Sequence, residues 1–116
     1  HADFSCSDPS QFSGGMEIGF VVYGNGQKLT NFWTVASHSG IIPVGLKQSV
    51  TCTVPAWPFR NMQISIHIHL NYKRENMLIA EDALTFESVD GDPFGTGVVP
   101  DQGEGPVLVP HTWSIT

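Results

Sequence analysis

The stretch that most constrains this chain is Met62 to Asn71, in which apolar and polar residues alternate without a break. Met62, Ile64, Ile66, Ile68 and Leu70 fall in one phase; Gln63, Ser65, His67, His69 and Asn71 fall in the other. Successive side chains of a strand point to opposite faces, so a period of two sorts this run into an apolar side and a polar side. A helix would scatter the same residues around its axis. The pattern therefore predicts a core strand over 62–72, with a sheet around it that buries one face.

The rest of the chain reads as strands of the same kind. Gly24-Asn25-Gly26 stands between two extended runs, and Asn-Gly between apolar runs is the strongest short hairpin signal. Pro43 and Gly45 break the next loop, and "LKQSVTCTV" alternates again, with Leu46, Gln48, Val50, Cys52 and Val54 in the inward phase. "PAWPFRN" is a turn between Pro55 and Pro58, and a polar turn is expected near Lys73 to Asn76. Short strands follow at 77–80 and 83–89, split by Glu81-Asp82, with a single helical turn as the competing reading of "MLIAEDALTF". A Gly- and Pro-rich loop runs from Asp90 to Pro106. In a last strand over 107–115, Val107, Val109, Trp113 and Ile115 share a face, and Trp33 and Trp113 are expected in the core. Seven to eight short strands with regular turn signals predict an all-β chain: a single antiparallel β-sandwich over 1–116, immunoglobulin-like or related.

Composition excludes several classes of partner. Lys and Arg total five and the net charge is −6, too few and too scattered for the cation clusters that bind nucleic acid. No apolar run approaches the roughly 18 residues of a membrane helix. With hydrophobic residues at 41% and charged residues at 14%, the chain is expected to fold and to hold its surface with neutral polar groups.

Cys6 and Cys52 have no CxxC spacing, so a disulfide is the expected pairing. It would staple an N-terminal tail to the sandwich and contribute about 4 kcal/mol on a chain-entropy estimate. The same pairing, with a chain that begins at His1 as a secreted protein does after signal removal, points to an extracellular address.

Three groups of residues could carry function. His67 and His69, two apart on one strand face, stand roughly 6.5 Å apart, close enough to converge on one ion. Taken alone, they read first as the polar residues that a water-facing strand carries. His1 adds an α-amino nitrogen and an imidazole that chelate together, and a further histidine would complete the tetragonal nitrogen set that copper prefers. His1 with His67 or His69 resembles the histidine brace of lytic polysaccharide monooxygenases and of CopC-type periplasmic copper carriers, both immunoglobulin-like sandwiches. The resemblance implies copper as the metal, and the short chain fits copper binding better than oxidase chemistry. His111, in phase with Trp113, is expected to be a satisfied, partly buried histidine, becoming a spare ligand candidate if strand 107–115 pairs near strand 62–72, and His38 is expected exposed in a loop. The second group is Trp57 and Phe59, loop aromatics that either stack on sugar rings or anchor a protein partner, or else cap the end of the sandwich. The third is the acidic loop with Asp90, Asp92, Asp101 and Glu104, which lacks the ligand spacing of a calcium loop. No nucleophile motif, P-loop or selected carboxylate pair occurs. The function expected from these features is a secreted, non-catalytic module that binds a protein or polysaccharide partner, with the copper site as the alternative.

Overall fold

The computed structural model describes residues 1–34, 42–89, 106, 107, 109 and 111–115. Six strands occur among them: β1 (Ala2–Ser5), β2 (Glu17–Gly24), β3 (Gln27–Trp33), β4 (Lys47–Val50), β5 (Met62–Tyr72) and β6 (Glu75–Ser88). A 3-10 turn, Pro9–Phe12, joins β1 to β2, with Asp8 capping its first amides. The strands form two antiparallel sheets, a ribbon β1-β4 and a four-stranded sheet in the order β3-β2-β5-β6. The all-β expectation holds, and the strand predicted over 62–72 is β5.

The local chemistry explains the hairpins. Asn25 and Gly26 have φ of +48° and +82°, the left-handed pair that closes a two-residue turn between β2 and β3. The Asn25 amide donates to the Gln63 carbonyl at 2.9 Å, and the Gln63 amide donates to the Asn25 side-chain oxygen at 2.9 Å. The turn is thereby tied to the start of β5. Between β5 and β6 the same turn geometry is made by Lys73 and Arg74, at φ +48° and +66°. The expected break at Glu81-Asp82 is a bulge inside one long strand. Ile66 pairs with Leu84 and Ile68 with Ala80, which leaves three residues of β6 opposite His67, with Asp82 at φ +48°. Two extra residues preserve the phase of the strand, so the apolar sides of β5 and β6 still match beyond the bulge.

Register sorts the four-stranded sheet into two faces. Ile18, Phe20, Val22 and Gly24 of β2 stand opposite Leu70, Ile68, Ile66 and Ile64 of β5. The ribbon, the 3-10 turn and the turn around Trp57 and Phe59 pack against that apolar face. Phe4 of β1, Phe12, Ile42, Val44 and Val50 of β4 close over Met16, Ile18 and Leu70. Trp57 and Phe59 close with Leu29, Phe32, Ile66 and Phe86 over Val22, Met62 and Ile64. Burying these aliphatic side chains, at roughly 1.5–3 kcal/mol each, is the main force holding the ribbon and turns to the sheet.

Several expectations are corrected. The Cys6–Cys52 disulfide is absent, and both residues are free thiols. In the ribbon Ala2 pairs with Val50 and Ser5 with Lys47, and the Cys6 amide donates to the Leu46 carbonyl at 3.0 Å. Cys6 therefore lies beside Leu46 at one end of the ribbon, while Cys52 leaves it at the other. Six residues of extended chain separate Leu46 from Cys52, about 20 Å, whereas a disulfide needs Cα atoms within roughly 7 Å. Cys52 is exposed rather than inward, because β4 ends at Val50. The N-terminal tail is instead a paired strand. The described residues number six strands rather than seven or eight, and those of 107–115 form none beyond a bridge between Phe59 and Val107. Trp113 is exposed, not core. His38 and the acidic residues Asp90, Asp92, Asp101 and Glu104 lie outside the described residues.

Candidate functional site

The sheet itself separates the expected metal ligands. His1 lies at the edge of a cleft lined by Phe20, Phe32, Ile66, Ile68 and Leu84, on the apolar side of the four-stranded sheet. His67 and His69 alternate with Ile66 and Ile68 and therefore point to the opposite side. A full sheet thickness stands between them, so His1 and the strand histidines are not brought together on one ion. The imidazole of His1 is engaged locally: Nε2 lies 2.9 Å from Asp3 Oδ1 and Nδ1 lies 2.9 Å from Thr51 Oγ1. Among the described residues no three His, Cys, Asp or Glu side chains converge as a metal set. His111 is exposed, with Nδ1 2.8 Å from the Val109 carbonyl oxygen.

Trp57 and Phe59 are not an exposed platform. Their rings meet edge to face at 5.3 Å, and Trp57 also meets Phe86 at 5.5 Å. Both pack on the Val22, Met62 and Ile64 cluster, and Phe59 is held further where its carbonyl accepts the Ser88 hydroxyl at 2.7 Å.

What the structure does assemble lies on the polar face of the sheet, where the register builds rows across the strands. Trp33, Gly19, His69 and Ile79 form one; Asn31, Val21 and His67 form the next, ending at the bulge; Tyr23, Ser65 and Thr85 form the third. Gly19 is needed here, because a Cβ on it would stand 2.4 Å from Cε3 of Trp33 and 3.0 Å from Oδ1 of Asn31. The indole lies across the strand in the space the missing side chain leaves. Tyr23 stacks on His67 with centroids 4.4 Å apart and planes tilted by 31°. These rings leave Val21 only 3% exposed although no second layer is described over it.

Asp82 closes this face from the bulge. It accepts a short hydrogen bond from the Ser65 hydroxyl, and its Oδ1 lies 3.4 Å from Nε2 of His67. The Ser65 hydrogen bond holds the Asp82 carboxyl below its ordinary value; desolvation opposes this, and the charge and N–H of His67 reinforce it. His67 keeps only 18% of its side chain exposed against 68% for Asp82, so the contact is shielded from solvent on the imidazole side alone. The order Ser–Asp–His does not make a nucleophile, because a triad needs the imidazole next to the hydroxyl. The arrangement orients His67 and fixes the bulge.

Of these residues, sequence reasoning singled out His67 and His69 and missed Tyr23, Asn31, Trp33 and Asp82. Phase within β5 finds the histidines. Their neighbours on the face are set by pairing with β2 and β3 and by a bulge, and only the Asn25-Gly26 turn hints at that register. Compared with models of protein families, with curated proteins and with solved structures, the chain shows no match.

Proposed function

We propose that this protein is a non-catalytic binding module, and that its ligand is a neutral polysaccharide held across the polar face of the four-stranded sheet. The observation that carries this reading is the row pattern of that face. Aromatic and imidazole rings at Trp33, Tyr23, His67 and His69 are flanked by hydroxyl and amide side chains at Ser65, Thr85, Gln63 and Asn31. Sugar rings pair an apolar face with a rim of hydroxyls, so they suit rings that offer contact area beside polar groups that fix orientation. With five Lys and Arg against eleven Asp and Glu, an anionic glycan is disfavoured. This moves the binding surface away from Trp57 and Phe59, which serve the core. The same reading takes the β1-β4 ribbon and the four-stranded sheet as two layers of a small sandwich. The contacts of Phe4 and Val50 with Ile18 and Leu70 support it.

Affinity electrophoresis through gels containing neutral polysaccharides tests the proposal. The wild-type chain should be retarded by at least one of them. Tyr23→Ala and His69→Ala should migrate freely with unchanged circular dichroism, and Val109→Ala, away from this face, should be retarded like wild type. Retardation of Tyr23→Ala equal to wild type would sink the reading.

A further inference from the structure

The apolar face of the large sheet is filled at its two ends and open in the middle. At one end Met16, Ile18 and Leu70 are buried; at the other Val22, Met62 and Ile64 are. Between them Phe20, Ile66 and Ile68 are only half-buried, although Phe20 pairs with Ile68 in the middle of β2 and β5. The cause lies in the ribbon that covers this face. β1 and β4 have four residues each, and the pairs Ala2–Val50 and Phe4–Gln48 share the side that packs on the sheet. Ala2 is too small to fill the middle, and Gln48 brings an amide rather than a hydrocarbon.

Two hollows result. One, of about 350 Å³, is walled by Ile66, Ile68, Leu84, Phe86 and Val54. The next, of about 380 Å³, shares Phe20, Phe32 and Cys52 with it and adds the polar side chains of Thr34, Gln48 and Thr51. Among the described residues lining either hollow there is no Lys, Arg, Asp or Glu. Protein interiors close-pack with few voids larger than a water molecule, so a gap of this size over an apolar face is room for a guest. Hollows of several hundred Å³ with apolar walls and a few polar groups are the ordinary make-up of small-molecule sites.

We propose that this gap binds an uncharged amphiphile with a single alkyl chain, its tail over Ile66 and Ile68 and its hydroxyl beside Gln48. The chemistry of the walls selects this guest. A charged head would be buried without a partner, at a large desolvation cost, whereas Gln48 and Thr51 offer hydrogen bonds to a hydroxyl. The shape selects a chain, because the two hollows share walls and continue one another along the sheet. Stacked sheets lie about 10 Å apart, too close for a helix of about the same diameter to enter between them. A cavity of about 150 Å³ takes one benzene ring, so the apolar hollow has room for roughly a dozen carbon atoms. The site lies on the side of the sheet opposite His67 and His69 and is separate from the polysaccharide surface.

Calorimetry of the full chain against octanol, nonanol and decanol reads the outcome. Affinity should rise about fourfold with each methylene, as burial of one CH₂ implies. Decanoate at neutral pH should bind about tenfold more weakly than decanol, because its carboxylate meets no cation on these walls. Ile68→Trp on β5 and Val54→Trp on the wall put an indole into the gap, and each should weaken decanol about tenfold while unfolding cooperatively. Val54 lies outside the strands, so its variant decides the matter should Ile68→Trp fail to fold. Tyr23→Ala, on the opposite face, should bind decanol like wild type, which separates this site from polysaccharide binding. No binding of any alcohol, affinity that ignores chain length, decanoate held as well as decanol, or undiminished binding in the folded Trp variants would each overturn the proposal.

Discussion

Asp82 shows how one side chain ties a backbone irregularity to electrostatics. Its φ of +48° belongs to the left-handed region that Asp tolerates better than most residues, and that conformation turns its carboxylate back onto Ser65 and His67. Since the folded state lowers its pKa, Asp82 contributes stability above the ordinary carboxylate value. That contribution disappears as pH falls through the lowered folded value, so it is absent in strong acid. Ser65→Ala removes the largest cause, and the Asp82 carboxyl, followed by NMR titration, should then rise toward the ordinary value. No movement would assign the shift elsewhere. Gly19 makes the opposite point, because its role is space. Gly19→Ala must push the Trp33 indole off the strand, at about 1–3 kcal/mol in urea unfolding. At the centre of the apolar face Ile64 is fully buried, and Ile64→Ala should cost about 2–5 kcal/mol by the same measurement.

Among the elements, the two hairpins of the large sheet form a matched comparison. Both turns place two central residues at positive φ, but β2–β3 uses Asn25-Gly26 and β5–β6 uses Lys73-Arg74. Left-handed backbone costs an ordinary residue roughly 1–2 kcal/mol, and Asn and Gly much less. Lys73 recovers part of that cost where its ammonium lies 5.2 Å from the centre of the Tyr72 ring. Replacing Lys73-Arg74 with Asn-Gly should therefore raise stability by about 1–2 kcal/mol in urea unfolding. A loss of stability would mean that the Tyr72 contact outweighs the backbone strain. The turn was legible in the sequence as a polar interruption, but its type was not. Nothing in Lys-Arg announces positive φ; the register of β5 with β6 imposes it.

For the chain as a whole, the ribbon register decides the state of the thiols. Cys6 and Cys52 sit at opposite ends of β1-β4, so alkylation of the native protein should find two thiols, with exposed Cys52 reacting faster than Cys6. Reducing agent should leave the melting temperature unchanged. Without that disulfide, the inference of an oxidising compartment loses its structural footing. His1 is separated from His67 and His69 for a related reason, since a strand phase tells which residues share a face but not which face another strand approaches.

Period two in Met62–Asn71 and the Asn-Gly turn were enough to establish an all-β chain, its central strand and the apolar side of that strand. These are local properties, written in spacing and residue type. The ends of the chain were decided by tertiary structure alone: β1 pairs with β4 over the apolar face, which takes His1 away from His67 and His69 and Cys6 away from Cys52. The neighbours of the histidines, Tyr23, Trp33 and Asp82, likewise come from three other strands. Strand pairing between distant segments is governed by the burial of the whole apolar face, and that sum is not contained in any one stretch of sequence.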